Sequence, residues 1–187
     1  MDKLIDKFDA LAKRFVWFGG SLLILAAILV TVDVFARKFF NLSMAGSDEL
    51  SGYAFGISTM LALAFALIHR TNIRVDAFYH YFPAPLRAVA DILGLVLLLG
   101  FIALITYLGF NMFMDSVHHG ARSITPLRTP LAIPQSAWLA GLAFCLLTGL
   151  VLICAALAAL VRGDWPAVQR RVGIMSVDEQ IHEETDQ

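Results

Sequence analysis

Charged residues are scarce in this sequence. Only 16% of the 187 residues are charged, 59% are hydrophobic, and the mean hydropathy is +0.74. Soluble domains have about 25% charged residues, so the composition argues against a water-soluble globule. Positive charge is not in excess either, because the formal net charge is -1. The sequence therefore lacks the basic surface that nucleic-acid binding requires.

Cysteine is also scarce. Cys145 and Cys154 are the two cysteines, and they lie nine residues apart in one apolar run. On a helix this spacing separates them by about 13 Å along the axis, which is too far for a disulfide. The absence of a CxxC pair removes the usual redox and zinc motifs. We interpret both cysteines as small apolar residues.

Long apolar runs dominate the chain. Four of them are long enough to cross a bilayer as helices, which takes about 20 residues each. They cover residues 15–36, 50–68, 88–112 and 137–161. We therefore predict an all-α integral membrane protein with a four-helix transmembrane domain over residues 15–161.

Residues 1–14 have two distinct faces. Leu4, Phe8 and Leu11 recur at helical spacing and continue to Phe15, and charged residues fill the remaining positions. This pattern predicts an amphipathic helix that lies in the membrane interface. The alternative is that the first span simply continues through residues 1–14.

The distribution of Lys and Arg predicts the orientation. Ten of the 14 basic residues fall on the side that holds both termini and the loop from 69 to 87, and four fall on the other side. The positive-inside rule then places both termini in the cytoplasm of a multi-pass protein. Residues 162–187 form a polar, acidic tail that we expect to be frayed.

Ionisable residues lie at the ends of the spans and not at their centres. Asp33 and Arg37 are four residues apart at the outer end of the first span, so they share one helix face. They are expected to pair with each other, to reach the interface separately, or to pair with a partner subunit. The lack of central charges argues against a self-contained ion-coupled transporter.

The start of the second span carries two further features. Asp48 and Glu49 are expected to stabilise the positive end of that helix. Gly52 and Gly56 form a GxxxG pair, which favours close approach of another helix. The alternative is that these glycines face lipid without a packing role.

Sites for cofactors and catalysis are not predicted. His69 and His80 belong to one side of the membrane, whereas His118 and His119 belong to the other, so two histidines at one depth are not available for haem. A metal site formed by the latter pair with Asp115 is a weaker alternative to a solvated loop. We expect no enzyme activity, no catalytic, substrate-binding or metal site, and no cofactor.

Three stretches, taken in order, resemble the small membrane subunit (DctQ type) of tripartite ATP-independent periplasmic (TRAP) transporters. They are VFARKFFN at 34–41 with SDEL at 47–50, NIRVD at 72–76, and TPLRTPLAIPQ at 125–135. The chain differs from the common pattern at Gly46, Asp48, Asn72 and Ala132. The third stretch has prolines at a spacing of four, which predicts a rigid extended loop.

The resemblance implies a function for the chain. It implies a scaffold for a large multi-span membrane subunit in sodium-driven uptake of small organic anions, often carboxylates. A periplasmic solute-binding protein would deliver the solute, and the complex would lie in the bacterial inner membrane among its lipids. Arg37, Asp48 and Glu49 match the family's outer charged elements. Arg74 and Asp76 match its cytoplasmic turn, where Asp76 would fix the turn and Arg74 would meet lipid phosphates or a partner.

Two other functions remain open at this point. The chain is alternatively a membrane anchor of a redox complex that binds haem or quinone, or a small transporter that works alone as an oligomer. The histidine positions disfavour the anchor, and the missing central charges disfavour the small transporter.

Overall fold

The computed structural model describes residues 2–71 and 83–173, and these residues fold almost entirely into helices. In chain order the helices are α1 (Asp2–Phe40), α2 (Ser47–Ile68), α3 (Ala84–His118), α4 (Ala132–Val161) and α5 (Trp165–Val172). The first four are long and apolar enough to cross a membrane. The predicted all-α fold with four long apolar helices is therefore confirmed.

Helix α1 differs from the prediction at its start. Residues 2–14 continue into the first span as one helix of 39 residues, about 58 Å long. A separate interfacial helix is not confirmed, and the alternative of a continued span describes the structure. No glycine or proline interrupts the chain between Asp2 and Gly19. Phe8 stacks on Phe144 of α4 at 5.6 Å between ring centroids, which holds this part of α1 along the bundle.

Helices α2 and α4 form the central pair. Helix α1 packs mainly against α2, and α3 packs against α4. The α1–α2 loop (41–46) and the α3–α4 loop (119–131) lie at one end of the bundle, which we call the loop end. The end of α2 and the start of α1 lie at the opposite end, the terminus end, together with α5.

Small residues bring α2 and α4 together. A Cβ atom built on Gly141 would lie 2.9 Å from the carbonyl carbon of Met60 and 3.1 Å from the backbone nitrogen of Leu61. The two helix backbones are therefore in direct contact. Ala64 and Cys145 continue this seam and are buried. Such close contact of small residues is the usual way that helices associate in lipid.

Helix α1 is attached to α2 at mid-height by another small-residue contact. Gly19 lies against Ser58, and the Ser58 hydroxyl donates a hydrogen bond to the Gly19 carbonyl oxygen at 2.8 Å. At the terminus end, the His69 ring and the Asp9 carboxylate are 2.9 Å apart. Two contacts that are far apart along the helices thus fix their antiparallel register.

The chain after α4 is partly ordered against the bundle. We expected residues 162–187 to be frayed, but residues 165–172 form α5, and the Val168 and Val172 side chains are buried. Arg70 donates a hydrogen bond to the Gln169 carbonyl oxygen at 3.2 Å. Trp165, Val168 and Val172 are three and four residues apart, so they lie on one face of α5. This face packs against α3 and α4. The predicted acidic stretch after residue 173 lies outside the described residues.

We predict that Gly141→Ala destabilises the isolated chain. Its new methyl group would meet backbone atoms of α2, which cannot rotate away, and overpacking of this kind costs about 1–3 kcal/mol. Gly94→Ala is the matched control, because a Cβ atom at Gly94 has no neighbour within 4 Å. Thermal unfolding in detergent measures both variants. Equal midpoints for Gly141→Ala and Gly94→Ala would contradict the backbone contact.

Candidate functional site at the loop end

A buried carboxylate organises the first loop. The Asp33 side chain is only 2% exposed and accepts three hydrogen bonds. Arg37 donates from Nη2 at 2.5 Å, the Met44 backbone N–H donates at 2.5 Å, and the Ser47 hydroxyl donates at 2.9 Å. One carboxylate thereby joins the end of α1, the loop and the start of α2. We call these four residues the Asp33 cluster.

The loop of the Asp33 cluster turns sharply at two positions. Helix α1 ends where Asn41 adopts a positive φ of 52°, and the Leu42 N–H then bonds back to the Ala36 carbonyl at 3.3 Å. Gly46 precedes α2 with a φ of 101°, a conformation that favours glycine. A side chain at Gly46 would also collide with Leu127 of the second loop. The two loops are therefore in contact.

Asp33 and Arg37 pair with each other in the structure. The Arg37 side chain is 56% exposed, so only one side of the guanidinium is used by Asp33. The exposed part of the Arg37 side chain is accessible to a partner or to solvent. Asp33 has a structural role, whereas Arg37 also remains available for an external contact.

A second carboxylate holds the second loop. Glu49 accepts a hydrogen bond from the Tyr53 hydroxyl at 2.7 Å and another from the Thr125 hydroxyl. The Ser123 hydroxyl lies 2.8 Å from that of Thr125 and extends the network. Helix α2 is thus tied to the loop before α4. We call this contact between Glu49 and Thr125 the loop clasp.

The second loop, which the clasp holds, forms a closed hairpin and not the extended loop that was predicted. The Leu131 N–H bonds to the Ala121 carbonyl at 3.0 Å, and the Ser123 N–H bonds to the Thr129 carbonyl at 2.9 Å. Arg128 closes the turn with a positive φ of 47°. Proline has no N–H to donate, but the prolines of this loop do not occupy the two donor positions, Ser123 and Leu131. The prolines predict a rigid loop, and in the structure this loop folds back on itself.

Asp48 lies on a different face of α2 from these contacts, because successive residues of a helix are about 100° apart around its axis. It is exposed, and exposed positions continue along the helix at Gly52, Phe55 and Thr59. We call these four residues the α2 stripe. Phe55 is 65% exposed. The two acidic residues at the start of α2 therefore differ, since Glu49 binds within the chain and Asp48 faces outwards.

The GxxxG pair makes no close helix contact among the described residues, although Gly52 and Gly56 line a cavity of about 210 Å³ with Met112 of α3 and Trp138 of α4. A Cβ atom at either Gly52 or Gly56 would have no neighbour within 4 Å. Close contacts between helices of this chain are made at other glycines, namely Gly19, Gly109, Gly141 and Gly149. A packing role for Gly52 and Gly56 stays a prediction that involves another molecule.

The terminus end supplies less information about function. Arg74 and Asp76, the two residues that match the family's turn after α2, lie outside the described residues, as does His80. Asp9, besides its contact with His69, forms an ion pair with Lys13 at 2.8 Å.

The described histidines are poorly placed for a haem. His69 ends α2 at the terminus end, whereas His118 and His119 end α3 at the loop end. His119 contacts the Asp115 carboxylate at 3.1 Å, and both side chains are exposed. Within residues 2–71 and 83–173, no three His, Cys, Asp or Glu residues come together as metal ligands.

Sequence reasoning missed several partners in this site. Ser47 and the Met44 N–H were not assigned to Asp33, and Thr125 was not assigned to Glu49. The spacing of four between Glu49 and Tyr53 was a usable signal for their hydrogen bond. The contact with Thr125 joins residues 76 positions apart, so no local pattern reports it.

We predict that Asp33→Ala lowers the thermal midpoint of the chain in detergent by several degrees. The change removes the acceptor of the Arg37 guanidinium, the Met44 backbone N–H and the Ser47 hydroxyl. Buried donors that are left without an acceptor are costly. Asp33→Asn keeps an acceptor and should lie between Asp33→Ala and the unchanged protein. Thr31→Ala, an exposed position on the same helix, is the control. A midpoint for Asp33→Ala equal to that of Thr31→Ala would contradict the role of the Asp33 cluster.

We also predict that Glu49→Ala makes the second loop sensitive to trypsin. Arg122 and Arg128 provide two cleavage sites in this loop, and loss of the clasp allows it to open locally. Cleavage should become several times faster, as measured by gel electrophoresis of the purified chain. Asp48→Ala should leave the rate unchanged, because Asp48 makes no side-chain contact with the loop. Equal rates for the two variants would disprove the clasp.

Comparison with known proteins identifies the family. The profile described as "Tripartite ATP-independent periplasmic transporters, DctQ component" matches residues 26–162, which is well over half of the chain. The match includes the Asp33 cluster, the loop clasp and the α2 stripe. No curated protein and no solved structure matches the chain. The chain belongs to the DctQ component family of TRAP transporters, whose members are membrane-spanning, non-enzymatic components of transport systems.

Proposed function

We propose that this chain is the small permease subunit that supports the large membrane subunit of a TRAP transporter. The complex would import small organic anions, often carboxylates, with a sodium gradient, and a periplasmic solute-binding protein would deliver them. The chain would lie in the bacterial inner membrane with both termini in the cytoplasm. The family match supports a transport role, and the positive-inside pattern supports the orientation.

The interior of the bundle is the observation that favours a supporting role over a conducting one. The buried hydroxyls of Ser58 and Thr148 both donate to backbone carbonyls at 2.8 Å, to Gly19 and Phe144 respectively. They are therefore already used and do not point into an open path. A conduit for an organic anion needs polar or charged groups that face a cavity near the membrane centre. The described spans supply none there.

The outward faces support a role in assembly. Helix α1 exposes large apolar side chains along most of its length, including Trp17 at 82% exposure. In a membrane such faces contact either lipid tails or another subunit. Apolar exposure alone does not separate these two, so the contact face has to be identified by other features.

We propose the α2 stripe as a contact with the large subunit. Its two ends are polar, with Asp48 at the loop end and Thr59 towards the middle, and Gly52 leaves a notch between them. A partner helix fits against glycine more closely than against a large side chain. Arg37 is exposed at the same end of the bundle, where it pairs with Asp33. Asp76 remains predicted to fix the turn after α2, and Arg74 remains predicted to meet lipid phosphates or a partner.

The test is purification of the tagged chain from native membranes in mild detergent, followed by mass spectrometry. We expect one large multi-span protein to be recovered in an amount similar to that of the chain. The double variant Gly52→Leu and Gly56→Leu should fold normally but recover several times less of that protein, because leucines would fill the notch.

The double variant Gly94→Leu and Gly100→Leu is the matched control. These glycines lie on exposed positions of α3 and also have no neighbour within 4 Å of a built Cβ atom. Normal recovery with the α2 variant would remove the stripe from the interface. Recovery of a homo-oligomer alone, or of haem or flavin proteins, would contradict the proposed function itself.

A further inference from the structure

A groove runs along the opposite side of α2 from the stripe. Helix α1 forms one wall through Leu11 and Phe18, and α4 forms the other through Ala137 and Ala140. Leu61 of α2 lies at its base. The groove has a volume of about 460 Å³, and its lining is almost entirely apolar.

The groove exists because α1 and α4 meet mainly at Phe144, against which both Phe8 and Phe15 pack, and not along their length. The Phe15 and Phe144 rings contact each other edge to face, with centroids 4.9 Å apart. Beyond this contact towards the loop end, α4 presents only the small side chains of Ala140 and Ala137. These methyl groups do not reach α1, so a channel remains above α2.

Arg14 is the charged residue that lines the groove. It is exposed, and among residues 2–71 and 83–173 it has no hydrogen bond or ion pair. Its neighbour Lys13 differs, because Lys13 pairs with Asp9 at 2.8 Å. Arg14 is also the last charged residue before the uncharged stretch 15–32. Its guanidinium therefore lies at the level where lipid head groups meet the acyl region.

We propose that this groove binds a phospholipid, with the lipid phosphate on Arg14 and one acyl chain in the apolar channel. A guanidinium binds phosphate oxygens well through its fixed set of N–H donors. The groove leads from Arg14 towards the membrane centre, which is the direction that an acyl chain takes from its head group.

The size of the groove also favours a chain over a helix. Ten residues of α-helix are about 15 Å long and about 10 Å wide, so they occupy on the order of 1,000 Å³. That is more than twice the volume available. This inference needs only that the chain spans a membrane, so it stands or falls separately from the proposed contact with the large subunit.

Lipid binding is tested by native mass spectrometry of the full chain, purified in detergent with any protein that co-purifies. The probe is phosphatidylglycerol with one palmitoyl and one oleoyl chain. We expect Arg14→Gln to weaken the first binding event about fivefold. Ala140→Leu should weaken it as well, because the larger side chain fills the channel. Diacylglycerol with the same acyl chains lacks the phosphate. It should therefore bind the unchanged protein weakly, with about the affinity that phosphatidylglycerol has for Arg14→Gln.

Matched controls separate this site from general lipid contact. Lys38→Gln removes an exposed charge at the other end of α1, and Ala143→Leu enlarges an exposed position of α4 outside the groove; neither should alter binding. Equal binding by Arg14→Gln, Ala140→Leu and these controls would overturn the proposal.

A second measurement identifies the occupant in native membranes. A photoreactive benzoylphenylalanine in place of Phe18 should form a crosslink to phospholipid. A crosslink to another protein, in place of the lipid adduct, would show that a subunit covers the groove and would also overturn the proposal.

Discussion

The contact between the backbones of α2 and α4 at Gly141 is the constraint on which the rest of the bundle depends. Helix α1 attaches to α2, and α3 attaches to α4, so the position of both outer helices follows from this pair. Lipid tails are as apolar as the helices, so burial of apolar surface does not drive their association. Close contact at small residues, such as Gly19 against Ser58, provides the attraction instead.

Charge is used in this chain to fix the loops. Asp33 accepts hydrogen bonds from the α1–α2 loop, and Glu49 accepts one from the α3–α4 loop. Two carboxylates at the loop end therefore stabilise both loops. Placing these groups at helix ends avoids the high cost of an ion in the hydrocarbon region. The same arrangement leaves Arg37 and Asp48 exposed at that end. A rigid end with a few outward charges is suited to contact with other proteins on that side of the membrane.

The helical spans could be predicted from the sequence because hydropathy reports membrane segments directly. The boundary at residue 14 could not, since a two-faced pattern is satisfied either by a membrane surface or by packing against Phe144. The GxxxG pair predicted a close contact, but the close backbone contacts of α2 lie further along the helix, at Ser58 with α1 and at Met60 and Leu61 with α4. The hairpin clasped by Glu49 also required three-dimensional information, because its partners are distant in sequence.

In the proposed function, this chain shapes and positions a transporter without carrying the solute. The most direct test of this function is uptake into sealed liposomes under an inward sodium gradient. The vesicles would contain this chain, the co-purified large membrane protein and the solute-binding protein, with each left out in turn. The proposed function predicts uptake only when all three proteins are present, and no uptake by this chain alone. Uptake by this chain alone, or uptake that persists when this chain is omitted, would contradict it.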